Sequence, residues 1–252
     1  MKLIVVGATG LIGTEVIRQA LSHRSITSVV ALGRRPTPPP TSIPAGDPAL
    51  DKFQSVTLPD FAHYPDDVKS QLSGADACIW LLAITPTASK TMDWEVVQNV
   101  CVDYVMEGFR VLQQLPRPQG GGNKPLRFVY ASGAKAERDQ TKKPWILGDY
   151  TLMRGRIETR LLDATKESGG IMETCLLRLG LVMSPERMGF VTGMLANATA
   201  SIIGLPLIDI REIGAAAVSA AVHGFNKDTL DNDDLIAMGR KELKEMGEEP
   251  ST

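Results

Sequence analysis

Gly7-Ala8-Thr9-Gly10-Leu11-Ile12-Gly13 follows directly on the apolar run Leu3-Ile4-Val5-Val6. Four consecutive apolar residues predict a buried parallel strand. Glycines at every third position let the chain turn tightly and let its backbone approach a ligand closely. Leu11, Ile12, Val16, Ile17 and Ala20 then recur at helical spacing. A strand, a glycine turn and a helix N-terminus form an anion site, because free amide N–H groups and the helix dipole face the same point. The amides of Gly7, Thr9, Gly10, Leu11, Ile12 and Gly13 are the candidates to cradle it. The anion such a turn takes is the pyrophosphate of a dinucleotide. The alternative is a tight strand–helix turn with no ligand.

A second apolar strand, Val29 to Leu32, ends at Gly33-Arg34-Arg35. An NAD site places Asp or Glu at this strand end to bind the ribose 2′-hydroxyl. Two arginines stand there instead, and a guanidinium fork suits the 2′-phosphate of NADP. The cofactor expected is therefore NADP(H), with solvated arginines as the competing reading.

Strand and helix patterns alternate along the chain, which predicts an α/β fold: a doubly wound parallel sheet of Rossmann type. Six prolines between residues 36 and 48 mark an irregular loop. Strands are expected near 54–58, 77–83, 127–131, 174–179 and 207–210. Helices are expected over 94–115, 150–168 and 213–222. Gly120, Gly121 and Gly122 read as a loop. The whole chain, 1–252, reads as one domain. Residues 180–205 would form a small C-terminal substrate cap, and the charged segment 228–252 a peripheral tail.

At 252 residues, 43% hydrophobic and 22% charged, the composition is that of an ordinary globular protein. A net charge of −2 gives no case for nucleic acid or an anionic membrane as a partner. The longest apolar stretch, 190–210, is interrupted by Asn197, Gly204 and Pro206. Three scattered cysteines in apolar surroundings read as core thiols of a reducing compartment. The first strand starts almost at the N-terminus, so no signal peptide and a cytoplasmic location are expected. The partner expected is a small-molecule substrate, with the chain a monomer or homodimer. His23, His63 and His223 share no metal-ligand spacing, so no metal site is expected.

Tyr150 and Arg154 stand four apart on a predicted helix, which stacks them on one face. A fixed cation beside a phenol lowers its pKa from about 10 toward neutrality. Such a tyrosine can exchange a proton with a carbonyl oxygen. Ser132 falls at a strand end, where open parallel sheets place their ligands. Its hydroxyl could hold the same oxygen. Met183, Met188, Met194, Trp145 and Phe190 could wall an apolar substrate or could simply pack.

These segments, with Gly74–Ala83, Phe128–Gly133, Tyr150–Glu158, Cys175–Val182 and Pro206–Val218, resemble atypical or extended short-chain dehydrogenase/reductases. The chain is most similar to the Tat-interacting-oxidoreductase-like group and, more distantly, to NmrA-like proteins. The resemblance implies an NADP(H)-dependent oxidoreductase reducing a carbonyl or activated double bond of a small, largely apolar substrate. It maps a Ser-Tyr-Lys site onto Ser132, Tyr150 and Arg154, with Arg154 also holding the nicotinamide ribose. Asp60, with Phe61 beside it, would approach the adenine. Ala83 and Ile84 would line the path to the nicotinamide ribose, and Leu181 and Val182 would meet the carboxamide through their backbones. Asn99 falls where some relatives carry an asparagine of the proton relay. The chain departs from the pattern at Arg154, where the family has lysine, and at Arg178-Leu179-Gly180, where the family has Arg-Pro-Gly. Other roles on this fold are a sensor of NADP(H) that binds another protein, or a non-redox isomerase or cyclase.

Overall fold

The computed structural model describes residues 1–117, 124–145, 147–184 and 205–249. Its frame is a parallel seven-stranded sheet in the order β3-β2-β1-β4-β5-β6-β9. The strands are β1 (Lys2–Val6), β2 (Ser28–Gly33), β3 (Phe53–Thr57), β4 (Ala77–Trp80), β5 (Leu126–Gly133), β6 (Met172–Leu179) and β9 (Thr229–Leu230). A separate parallel pair joins β7 (Leu181–Met183) to β8 (Leu207–Asp209). The Rossmann-type α/β architecture expected from the alternating pattern is the one observed. The chain order reverses between β1 and β4, and ligands of open parallel sheets bind at that switch point, outside the carboxyl ends of the strands.

Buried strands with near-continuous apolar sequences need cover on both faces. On one face Leu3, Val5, Ala31, Ile79, Val129 and Leu177 meet Val16 and Ile17 of α1 (Leu11–Ser22) and Ile213, Ala216 and Ala220 of α7 (Ile210–His223). On the other, Ile4, Val6, Trp80, Phe128 and Tyr130 meet three helices. These are α2 (Asp66–Leu72), α5 (Tyr104–Gln114) and α6 (Gly148–Glu167), which supply Val68, Phe109 and Ile157.

Three expectations change. The predicted helix over 94–115 is not one regular helix. It runs as α4 (Trp94–Gln98), a π-helical turn (Asn99–Asp103) and α5, preceded by a short α3 (Pro86–Ser89). The segment after 228 is not a peripheral tail. Strand β9 pairs with β6, and α8 (Asn232–Glu245) buries Leu235 and Leu243 completely. Its charges misled because most of them, Glu242 excepted, lie toward the outside, while an Asp231–Asp234 capping box starts the helix. The strand expected over 207–210 leaves the main sheet to pair with β7. The glycine loop at 120–122 and most of the expected cap, 185–204, lie outside the described residues.

Candidate functional site

At the switch point the three glycines do different jobs. Gly7 has φ +84°, and a Cβ there would stand 2.8 Å from the Leu82 nitrogen. A Cβ on Gly13 would stand 2.3 Å from the Gly7 carbonyl oxygen. Both are glycine because the protein's own backbone leaves no room. Gly10 differs: a Cβ would meet only the Gly7 carbonyl oxygen, at 3.2 Å. Gly10 is exposed and N-caps α1 with no side chain over the helix end. Thr9 is exposed beside it, while Leu11 and Ile12 are half-buried. The first turn of α1 carries no acid. An open glycine at an uncapped helix start fits a pyrophosphate.

Arg34 and Arg35 are both exposed just past the end of β2. Asp60 is exposed after β3, accepting the Ala62 amide at 3.0 Å. That bond, with Tyr104 beside it, holds the Asp60 carboxyl below its ordinary range. The Tyr104 phenol lies by Asp60, Asn99 and the charge of Arg34. Asn99 thus opens the π turn on the Asp60 side of the site. Phe61 is only 1% exposed and stacks among Tyr64, Trp80 and Tyr104. Its ring belongs to the core, so only its backbone faces the Asp60 loop.

Tyr150 donates its hydroxyl to the Ile84 carbonyl at 2.8 Å. The Ile84 amide donates to Cys101 Sγ at 3.3 Å. One turn along α6, Arg154 is 4% exposed, donates to the Ala131 carbonyl and lies 5.0 Å from the Tyr130 ring centroid. Its Nη1 has no hydrogen-bond partner among the described residues. Spacing four does place Tyr150 and Arg154 together, but the electrostatic expectation reverses. Burial raises the Tyr150 pKa, and the pull of Arg154 only partly offsets it. The guanidinium is engaged with the β5 carbonyl and the Tyr130 face, and not with the phenol oxygen.

Ser132 lies at the end of β5 and is 4% exposed. Its hydroxyl donates to Glu158 Oε1 at 2.6 Å. Glu158 is fully buried and also accepts Arg138 Nε at 2.7 Å, Arg178 Nε at 3.1 Å and Arg178 Nη2 at 2.6 Å. With guanidinium donors on both oxygens, the carboxylate is the acceptor and Ser132 gives up its one proton. Sequence reading missed Glu158, although it continues the Tyr150–Arg154 spacing by one further turn. An acid on a helix carries no motif of its own.

Ala83 and Ile84 are half-buried after β4, packed against the core below Tyr150. Leu181 and Val182 already spend backbone groups on β8, with the Leu181 amide on the Pro206 carbonyl at 2.7 Å. Trp145 is 96% exposed, Met183 is half-buried in β7, and Met188, Phe190 and Met194 lie outside the described residues. An open cavity of about 250 Å³ sits beyond β5 and β6, between Ala134, Lys135, Arg178, Pro206, Asp231 and Asn232. Its walls mix charged, polar and apolar surface, and Met183, from the expected apolar wall, is not among its lining residues.

No family model matches the chain. A curated protein, Protein FMP52, mitochondrial, of Candida albicans, is 24% identical over 254 residues, covering 96% of each chain. Among solved structures, DesIV, the dTDP-glucose 4,6-dehydratase of Streptomyces venezuelae with NAD bound, superposes with a TM-score of 0.67 at 14% identity. It covers 99% of this chain and 82% of its own. MoeE5 with UDP-glucose and NAD gives 0.65 at 16% identity, covering 99% of this chain and 83% of its own. WbmF of Bordetella bronchiseptica with NAD+ gives 0.65 at 12% identity, covering 100% and 79%. The chain thus shares its fold with nicotinamide-dinucleotide-bound enzymes. The expected cytoplasmic location is corrected: the curated relative is named a mitochondrial protein. Composition and buried free thiols do not encode an address. No helix among the described residues is long and apolar enough to cross a membrane.

Proposed function

We propose that the chain is an NADP(H)-dependent oxidoreductase of the short-chain dehydrogenase/reductase type, acting on a carbonyl or activated double bond of a small molecule. The observation that carries this reading is Tyr150, a protonated phenol held at the carboxyl edge of the sheet with the buried Arg154 one turn behind it. When bound, the cofactor supplies or takes up hydride. Gly10 and the α1 N-terminus would hold its pyrophosphate, and Arg34 and Arg35 its 2′-phosphate. Asp60 would face its adenine, and Arg154 its nicotinamide ribose. The unpartnered Nη1 of Arg154 supports that last role, because a buried donor without an acceptor calls for one from a ligand.

The raised pKa of Tyr150 suits a general acid: the proton is present at neutral pH and can pass to a substrate oxygen. Arg154 then steadies the resulting phenolate. The proton leaves Tyr150 Oη, which gives up its bond to the Ile84 carbonyl as the substrate oxygen takes its place.

A second reading, a non-catalytic sensor of NADP(H) that binds another protein, is favoured by Ser132, whose proton is committed to Glu158. A non-redox isomerase on the same fold would also keep Tyr150. Turnover separates them: an oxidoreductase consumes NADPH in step with substrate, and a sensor consumes none.

Fluorescence titration with NADPH and NADH tests cofactor choice. A charge-assisted contact to phosphate contributes about 1.5–3 kcal/mol, roughly a ten- to hundredfold preference for NADPH per arginine. Arg34→Ala and Arg35→Ala together should abolish that preference and leave NADH affinity nearly unchanged. Equal affinity of the wild-type chain for both cofactors would sink the arginine argument.

A further inference from the structure

Outside the site just described, three helices bring together side chains that are far apart in the chain. His23 caps the end of α1, His223 is the last residue of α7, and Glu242 lies on α8. Their ligand-capable atoms, one from each residue, all lie within 4.8 Å of one another. His23 Nε2 is 3.2 Å from Glu242 Oε1, and His223 Nε2 is 3.6 Å from Glu242 Oε2. The two rings meet edge to face at 5.9 Å.

We propose that His23, His223 and Glu242 form a binding site for a divalent d-block cation of the zinc class. Two imidazole nitrogens and one carboxylate are a ligand set that suits zinc and its neighbours, where magnesium and calcium prefer oxygen alone. The spacing also matches. Tetrahedral zinc with bonds of about 2.0–2.1 Å sets adjacent ligand atoms about 3.3–3.4 Å apart. Each imidazole–carboxylate separation lies within a few tenths of an ångström of that value, and because the two end on different oxygens of Glu242, a shared cation would take the carboxylate through both oxygens.

Burial adds a second reason. The Glu242 side chain is 3% exposed, and a buried carboxylate needs a cation or aligned donors. The His223 contact, at 3.6 Å, is too long to be a hydrogen bond. Among the described residues the ion pairs of Glu242 are to these two histidines only. The His223 side chain is 52% exposed, so the cluster opens to solvent on that side. Entry from solvent and a water as fourth ligand are both possible there.

The Ser25 amide opposes coordination. It donates to His23 Nδ1 at 3.1 Å, which places the His23 proton on Nε2. Coordination at Nε2 requires the other neutral tautomer, with the proton on Nδ1, and the Ser25 amide must then turn to water. Ser25 is exposed, so water can replace the bond it loses. The cation would clamp the ends of α1 and α7 to α8, far from the glycine turn along α1, and nothing in it depends on the cofactor reading.

The test uses the untagged full-length chain, stripped with a chelator and titrated with zinc chloride by calorimetry. Cobalt serves as a visible-absorption probe, and thermal melts follow stability. One ion should bind per chain, raising the melting temperature with zinc concentration. His63→Ala, which removes the remaining histidine, should bind as wild type does. Loss of even an outer-shell partner weakens metal sites roughly 10–100-fold, so loss of a ligand in His223→Ala or Glu242→Gln should weaken binding at least that much. His223→Ala alters a half-exposed side chain, so its metal-free melting temperature should match that of metal-free wild type. Two results would overturn the proposal: no saturable binding at millimolar zinc, or equal zinc affinity in wild type, His223→Ala and Glu242→Gln.

Discussion

Tyr150 shows how far a single spacing reads. That Tyr150 and Arg154 share a helix face follows from helical geometry alone, and the structure places them so. The sign of the pKa shift does not follow, because it depends on where the guanidinium points and how much water reaches the phenol. Arg154 turns to the Ala131 carbonyl and the Tyr130 ring, and desolvation wins. With the phenol pKa raised, the acid form persists at neutral pH. Reductive turnover should be flat there and should fall only above the usual phenol range, as the proton is lost. Tyr150→Phe should cost on the order of 10²–10⁴ in rate, remove that alkaline fall, and leave NADPH affinity nearly unchanged. Steady-state rates across pH, measured on any carbonyl substrate the wild type reduces, decide it; full activity in the variant would end the general-acid role. Glu158 and the His23–His223–Glu242 cluster were not legible from residues alone. The first lies in a helix whose buried face is set by Arg138 and Arg178, and the second converges from three helices.

The first βα turn was readable because its chemistry is local. A strand, three glycines and a helix start are adjacent in the chain, and their backbone demands are set within seven residues. The different duties of the glycines were not readable, since they depend on what stands opposite. A Cβ on Gly13 would stand 2.3 Å from the Gly7 carbonyl oxygen, whereas one on Gly10 would meet only that oxygen, at 3.2 Å. Gly10→Val should therefore fold with a normal circular dichroism spectrum and lose cofactor binding. Gly13→Val should lose stability first, because its Cβ has no room against the turn. A Gly10→Val chain that binds NADPH as wild type does would make the turn purely structural. The break in the predicted 94–115 helix was illegible for the opposite reason. A π turn keeps helical composition, and its extra residue shows only as a change in which side chains face the core.

At the scale of the whole molecule, a parallel sheet buried on both faces followed from runs such as Val29–Leu32 and Ala77–Trp80, which are apolar at every position. The closing elements did not. Strand β9 is two residues long, and α8 carries its apolar residues among many charges, so neither gives a strong pattern. Their contribution is large all the same. Leu235 is fully buried in the core under α1 and α7. Leu235→Ala should cost about 2–5 kcal/mol, the usual range for a core leucine, by urea denaturation. An effect below about 0.5 kcal/mol, the scale of surface changes, would return this segment to the periphery.

Because a long segment separates β9 from β6, the strand it pairs with, this edge of the sheet closes last. On the ribosome β6 emerges well before its neighbour. Until residues 229–230 follow, Leu176 and Leu177 present an open strand edge, and the alanine face of α7 waits for α8. An edge of that kind pairs readily with other chains. Nascent chains stalled near residue 225 should therefore be the species that chaperones hold and that aggregate when chaperones are scarce.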